Sequence, residues 1–366
     1  MKKILALVLA LAMVATFAAC GGAETSSPAP SSSAPATETK TAEYKLGMGV
    51  SVSLDSSADA TAEKNATAQC DATVATVVLD KDGKIVAADL DCAQTKVQIK
   101  DGKIVDIDKV DLRTKKEKKE DYNMKGFSPI GKEWYEQAAA YAEKMVGKTA
   151  ADIEAIETEV KDGHNVAVDA DLYAACTMDI TAFKAAFIAA CKDEQAKTFT
   201  AAEGFKLGLD IDTAVNESAD ATADTEAVAK LYSDFAATVV VDGKVVAAVL
   251  DAIQPSVTVT DDNKIGTKSF TNTKRGLKAD YGMAAAVNYG MDWNADGVVK
   301  EWFEQSKALT DYVVGMTADE VKAIKTQEVE GHGYIIPAVE DLLTAGCTIQ
   351  ISAYQAVLAN AIAAAK

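Results

Sequence analysis

Tyr44, Leu46, Met48, Val50, Val52 and Leu54 alternate with small or polar residues, the two-residue period of a half-buried strand. Apolar runs 72–79 and 85–90 flank Asp80-Lys81-Asp82-Gly83, and runs 239–241 and 245–250 flank Asp242-Gly243, each pair reading as a hairpin. A further Asp101-Gly102 turn leads into a run at 103–110. Past residue 120 the period lengthens. Trp134, Ala138, Tyr141 and Met145 fall on one face of a helix, with Ser128-Pro129 ahead of it as the expected cap and first turn. Thr317-Ala318-Asp319-Glu320 has capping-box spacing for a short helix, and apolar helices are expected at 180–190 and 351–364.

The same order of elements occurs twice. Tyr44-Lys45-Leu46-Gly47 returns as Phe205-Lys206-Leu207-Gly208, and Asp121-Tyr122 with Met124 as Asp280-Tyr281 with Met283. Lys132-Glu133-Trp134-Tyr135-Glu136-Gln137 returns as Lys300-Glu301-Trp302-Phe303-Glu304-Gln305, and Val146-Gly147-Lys148-Thr149-Ala150 as Val314-Gly315-Met316-Thr317-Ala318. The two histidines match as well, in Gly163-His164 and Gly331-His332. Ordered self-similarity of this length predicts a duplicated α+β chain: two tandem repeats, 43–204 and 205–366, each an antiparallel sheet with helices packed on it.

The first 42 residues follow neither period. Lys2 and Lys3 precede an apolar stretch at 4–17, and small residues lead to Cys20. Residues 1–19 therefore read as a signal peptide, and Phe17-Ala18-Ala19-Cys20 resembles a bacterial lipobox, which implies lipidation of Cys20. The alternative is an ordinary secretory signal with an incidental cysteine. Residues 21–42 are nearly all Gly, Ala, Ser, Thr and Pro, a flexible tether reaching roughly 25 Å. The expected location is the outer face of the cell membrane, held through the lipid anchor.

Charge narrows the function classes. The chain has 55 acidic and 37 basic residues, a net −18 that becomes −20 once Lys2 and Lys3 leave with the leader. So negative a surface repels phosphate backbones, which argues against a nucleic-acid partner. The sequence contains no Gly-x-Ser-x-Gly elbow, P-loop or Cys-x-x-Cys pair, so hydrolase, nucleotide-hydrolysing and structural-zinc readings lack support.

The cysteines divide by context. A hairpin centred between Lys81 and Asp82 would place Cys70 and Cys92 nearly opposite each other, so a cross-strand disulfide is expected, with two free thiols as the alternative. Cys191 reads as core packing. Asp292, Asn294 and Asp296, ahead of Gly297, match the start of a calcium loop and are the candidate metal ligands, although position 12 is Phe303 rather than Glu. The two histidines read as exposed loop residues.

Cys176 and Cys347 occupy equivalent places, in Asp171-Leu172-Tyr173-Ala174-Ala175-Cys176-Thr177 and Asp341-Leu342-Leu343-Thr344-Ala345-Gly346-Cys347-Thr348. Small residues opening a helix let a ligand approach backbone N–H groups, where the helix dipole favours an anion. Strand, Asp-Gly-Lys turn, strand, helix and then this Asp-x-x-small-small-small-Thr segment resemble the FMN-binding domain of sodium-pumping quinone reductases, Rnf-type subunits and exported lipoproteins. The resemblance implies that Thr177 corresponds to a threonine that a flavin transferase can esterify to FMN, and Asp171 to the aspartate assisting that step. Ala174, Ala175 and Cys176 stand where Ser/Thr, Gly and Ala are expected. In the second half Gly346 and Thr348 match, Cys347 again replaces Ala, Ala345 replaces Ser/Thr, and Asp341 lies one residue too far away. The alternative for Thr177 and Thr348 is simple helix capping.

Basic residues at 113–119, and Lys274, Arg275 and Lys278 in the second half, would meet a flavin phosphate or form a solvated loop. Tyr122, Met124, Tyr281 and Met283 would pack on an isoalloxazine ring or within the core. The expected function is a cell-surface lipoprotein carrying FMN for extracellular electron transfer with a membrane redox partner, an electron carrier more than a stand-alone enzyme. The alternatives are a flavin-free small-ligand or protein-binding module and a structural surface lipoprotein on the same fold.

Overall fold

The computed structural model describes residues 41–284, 299–331 and 333–366, and the stretch from Lys40 to Lys366 forms one compact unit. In the first half the chain runs β1 (Thr41–Ser53), β2 (Ala66–Leu79), β3 (Ile85–Lys100), β4 (Lys103–Val105), α1 (Lys115–Lys118), α2 (Trp134–Met145) and α3 (Ala150–Glu154). It continues through β5 (Thr158–Lys161), β6 (His164–Ala167), α4 (Ala170–Ala175), α5 (Thr181–Cys191) and β7 (Lys197–Ala202). The second half gives β8 (Lys206–Ala214), β9 (Ala227–Lys230), β10 (Tyr232–Val241), β11 (Lys244–Ile253), β12 (Ser256–Val259), β13 (Ile265–Ser269) and α6 (Lys274–Leu277). Then follow α7 (Trp302–Tyr312), α8 (Ala318–Lys322), β14 (Thr326–Val329), β15 (Tyr334–Pro337), α9 (Glu340–Thr344) and α10 (Ser352–Ala364).

The fold is α+β with antiparallel sheets. The largest sheet has strand order β4-β3-β2-β1-β7, and the second half forms β11-β10-β8 and β13-β12-β9. One apolar core joins the halves: Leu46, Met48, Ala68 and Cys70 pack with Leu207, Leu209, Ile211 and Phe235. On the far face of the first sheet, Val77, Leu90 and Cys92 meet Trp134, Tyr141 and Phe187 of the helices. On the far face of β10 and β11, Val240 and Leu250 meet Trp302, Leu309 and Leu358. The layers therefore run helix, sheet, sheet, helix, and the long strands are buried on both faces.

Local chemistry explains the element ends. Asp101 and Gly102, like Asp242 and Gly243, all have φ between 49° and 78°, the doubly left-handed turn that Asp-Gly favours. Residues Trp134, Ala138, Tyr141 and Met145 all face the core, as their spacing predicts. Ser128-Pro129 does not start that helix. Its cap is Glu133, whose carboxylate bonds the first turn while Glu136 bonds back. The capping box at Thr317 is present, with its twin at Thr149.

The expected Cys70–Cys92 bond does not form; both thiols are free. Residues 80–84 close the hairpin, and a register shift between Val78 and Leu79 moves the pairing, so Cys70 faces Thr95 and Cys92 faces Thr73. Three residues of offset turn the two side chains to opposite sheet faces. Cys70 lies between the sheets and Cys92 under the helices. Cys191 packs against the helix-side core, as expected. Asp292, Asn294 and Asp296 lie outside the described residues. Among the described residues no three His, Cys, Asp or Glu side chains cluster for a metal, and no helix is long and apolar enough to cross a membrane.

Helix α5 lies so close to β1 that only glycine fits: a Cβ on Gly49 would stand 2.2 Å from the Ala186 carbonyl oxygen and 2.3 Å from the Ala190 nitrogen. Gly49→Val forces the helix off the sheet, with an expected loss of about 3 kcal/mol or more in urea unfolding. A midpoint within error of the wild type would disprove this close approach.

Candidate functional site

Two buried glutamines organise the segments singled out above. Gln137 of α2 is fully buried, and its Oε1 accepts from the Thr177 backbone N–H at 2.9 Å and from the Thr177 hydroxyl at 3.1 Å. Its amide donates to Ser128 Oγ at 3.0 Å and to the Lys132 carbonyl at 3.1 Å. Gln305 of α7 holds Thr348 in the same way, at 2.7 Å and 3.3 Å, and donates to the Lys300 carbonyl at 2.8 Å. Neither threonine caps the following helix: α5 is capped at Ile180 and α10 at Ile351. The glutamates four residues upstream fix the neighbouring loops. Glu133 accepts from Met124 N and Lys125 N, and Glu301 from Met283 N and Ala284 N.

These anchors shape a cleft of about 850 Å³ in the first half, within the usual size range of ligand sites. Thr177, Tyr122, Met124, Trp134 and Lys115 line its wall, with Lys161, His164 and Tyr173 at the β5–β6 side. Lys115 Nζ lies 5.2 Å from the Tyr122 ring centre and 5.6 Å from that of Trp134, within cation–π range. Its ammonium is held above the usual lysine value; burial opposes the charge, and Cys92, Tyr122 and Asp71 outweigh it. Lys161 Nζ lies 4.2 Å from the Tyr173 ring centre. Phe127 stands at the cleft 85% exposed, an unusual position for so large an apolar ring.

Carboxylates also line the cleft, and most have partners. Asp71 accepts from Gln69 and Gln94 amides at 2.7 and 2.8 Å. Asp179 accepts from Asn165 N and Thr181 N, and these bonds hold its carboxyl below the usual range against the opposing effect of burial. Asp55 faces Lys268 at 3.9 Å. Lys161 is paired with Glu159 at 2.7 Å, so the remaining cation is Lys115 beside the half-buried Tyr122 ring, which fits a planar aromatic anion such as FMN: a ring to pack against and a charge for the phosphate.

The cleft gathers only some of the sequence-selected residues. Thr177 is there, whereas Asp171 sits exposed in the first turn of α4 and lines a separate depression of about 610 Å³ with Lys144 and Lys148. Ala174 is exposed, Ala175 half-buried, and Cys176 fully buried, its thiol pushed up to about 11 by burial. Asp341 and Ala345 line another depression of about 570 Å³, in which Lys300 Nζ donates to the Ala345 carbonyl at 2.7 Å. Gly346 has φ +75°, and a Cβ there would meet the Lys300 stem at 2.9 Å. Cys347 and Thr348 are buried, the Cys347 thiol pushed up to about 12 by burial. Within the basic stretch, Lys115 turns into the cleft, Lys116 pairs with Asp89 at 2.5 Å and Lys118 with Asp111 at 3.6 Å.

Sequence reasoning missed Gln137, Gln305, Glu133, Glu301 and the particular role of Lys115. The signal was present in the recurring Lys-Glu-Trp-aromatic-Glu-Gln block, whose first glutamate and whose glutamine are buried in both halves. No family model, curated protein or solved structure matches this chain.

Gln137→Leu orphans two buried donors on Thr177, so unfolding by urea is expected to show a loss of about 1–3 kcal/mol for each. Thr177→Val, which orphans none of them, costs about 1 kcal/mol. Equal losses in the two variants would refute this account of the glutamine.

Burial, with Glu117, Asp212 and Asp91 adding to it and Asn360 opposing, pushes the Asp210 carboxyl up to about 7. A carboxyl that holds its proton more tightly when folded stabilises the fold at low pH, and the effect drains away as pH rises through about 7. Urea midpoints are therefore expected to fall between pH 5 and pH 8, and Asp210→Asn to flatten that slope. An unchanged slope in the variant would rule Asp210 out as its source.

Proposed function

We propose that the chain is an exported lipoprotein, anchored to the outer face of the membrane through Cys20, built from two FMN-binding-like repeats, and that the first repeat carries FMN for electron transfer. The observation that carries the reading is the first-half cleft, with Lys115 against Tyr122 and Trp134 and Thr177 in the same wall. Duplication is supported by bonds recurring in each half. The pairs are Gln137–Thr177 with Gln305–Thr348, and Glu133–Met124 with Glu301–Met283. Asp91 accepts from Lys116 N as Asp251 does from Arg275 N, and Thr114 and Thr273 cap the helices that follow them.

Bound FMN supplies reversible one- or two-electron chemistry. The protein's share is placement. Lys115 offers charge to a phosphate, Tyr122 offers a ring face backed by the buried Trp134, and the tether at 21–42 keeps the unit near a membrane redox partner. Non-covalent binding is the favoured mode, because the Thr177 hydroxyl already donates to Gln137 and Asp171 opens on a different depression. That same separation favours the second reading, a flavin-free small-ligand or protein-binding module on this fold. A purely structural lipoprotein gives the cleft no task.

Full-length protein in detergent, produced with and without a flavin transferase, is expected to quench added FMN fluorescence while its mass shows no flavin adduct. Lys115→Met weakens binding about 10- to 100-fold, the size of a lost charge-assisted contact. Absence of quenching at millimolar FMN would sink the cofactor reading and leave the binding module; a flavin adduct lost in Thr177→Ala would replace non-covalent with covalent attachment.

A further inference from the structure

Phenylalanine, tyrosine and tryptophan contribute five rings to the first-half cleft, and four of them are already committed to the protein. Trp134 and Phe183 are nearly fully buried and meet edge to face, with 5.9 Å between ring centres. Tyr122 and Tyr173 are half-buried, each with an ammonium over its ring, Lys115 at 5.2 Å and Lys161 at 4.2 Å. Phe127 is the fifth. It stands 85% exposed, and among the described residues no ring or ammonium stacks on it.

The chain holds this ring out on a fixed turn. Phe127 N and Ser128 N both donate to the Met124 carbonyl, at 2.9 and 3.0 Å. On one flank the buried Glu133 carboxylate accepts from Met124 N at 2.8 Å and from Lys125 N at 3.1 Å. On the other, Gln137 donates to Ser128 Oγ at 3.0 Å, and Pro129 follows directly. Gln137 is the same side chain that seats Thr177 in the cleft wall. A lone apolar residue on a loose loop needs no explanation. Here two buried polar side chains clamp both sides of one beside a cleft. They keep its ring where a ligand would meet it and leave little ordering to be done on binding.

We propose that Phe127 is the stacking ring of this cleft: it covers one face of the ligand's flat ring system while Lys115 meets the ligand's negative group. The proposal deepens the FMN reading and rests on it for the identity of the ligand. Offset stacking on the phenyl ring adds to the gain from taking apolar surface out of water. The site thereby favours aromatic anions, since a small anion gains nothing from Phe127.

Full-length Phe127→Ala in detergent is expected to bind FMN about 10- to 100-fold more weakly than the wild type, read by flavin fluorescence, the affinity that burying one such ring contributes. Phe127→Trp restores binding to within about threefold, and Phe127→Leu, apolar but without a ring, does not. So exposed a ring packs on little, and thermal midpoints of all three variants stay at the wild-type value. Unchanged FMN affinity in Phe127→Ala, full binding by Phe127→Leu, or a fall of several degrees in the midpoint of Phe127→Ala overturns the proposal. A second aromatic anion, anilinonaphthalene sulfonate, separates the ring from the flavin. A wild type that ignores FMN but takes up this probe, with the uptake lost in Phe127→Ala, sinks the cofactor reading alone and leaves Phe127 as the stacking ring. A wild type that takes up neither, or a probe uptake that Phe127→Ala leaves intact, overturns the proposal itself.

Discussion

Everything in this fold follows from the apolar contact between the two halves' sheets. Leu46, Met48 and Cys70 on one side meet Leu207, Ile211 and Phe235 on the other, so the strands that carry them cannot leave either face to water. Each side chain of this size contributes about 1.5–3 kcal/mol when fully buried, and the layer continues across both halves. The helices must then cover the outer faces, and they do so at backbone contact over Gly47, Gly49 and Gly208. Polar links across the halves follow the same boundary. Arg275, nearly buried, donates to Asp193 at 2.8 Å and to the Met48 carbonyl at 3.3 Å, satisfying part of the β1 edge that β7 leaves open. Removing such a partner leaves buried carboxylates unpaired, which is why the arginine is structural and unavailable to a ligand.

Once the sheets are closed on each other, the connections between helices need polar hooks. The duplicated Glu and Gln of α2 and α7 provide them, binding loop N–H groups at one end of the helix and the Cys-Thr segment along its buried side. A glutamine amide can accept and donate at once, so one side chain pins two chain segments without leaving a charge in the core. The threonines that resemble flavin acceptors are thereby built into the scaffold, and the open surface of the first half passes to Lys115, Tyr122 and Phe127.

The features legible in the sequence were the local ones. Asp-Gly turns, the Trp134–Met145 stripe and the Thr317 box are decided by backbone and side-chain preferences within a few residues, and each is present. What failed depended on distant or compensating geometry. The Cys70–Cys92 pairing turned on a shift between Val78 and Leu79 that no residue type announces. Glu133 displaced Ser128-Pro129 as the helix cap because Glu136 lies three residues on and completes the reciprocal bonds. Asp171 and Thr177 are six residues apart in sequence yet open on different depressions, because Asp171 sits in the first turn of α4 and Thr177 follows its far end, past the buried Cys176. Glu and Gln in a helix read as solvent-facing, so the buried Gln137 could be found only from its recurrence at Gln305.

Net charge sets the last constraint. A chain at −18 repels anions at long range, yet the Debye length at physiological salt is about 8 Å, so most of that field is screened before it reaches the cleft. Contacts inside the cleft are screened less, because low-dielectric walls surround them. Anion recognition in this protein therefore depends on which carboxylates already stand around each lysine. Around Lys115, Asp71 accepts from Gln69 and Gln94 yet its charge still supports the ammonium, while the N–H groups bonded to Asp179 favour its ionised form. Around Lys274 the strand below carries Asp234, at the register position that Thr73 holds in the first half. Two lysines with equivalent aromatic neighbours therefore stand over strands of different charge, with threonine at one register position and aspartate at the other.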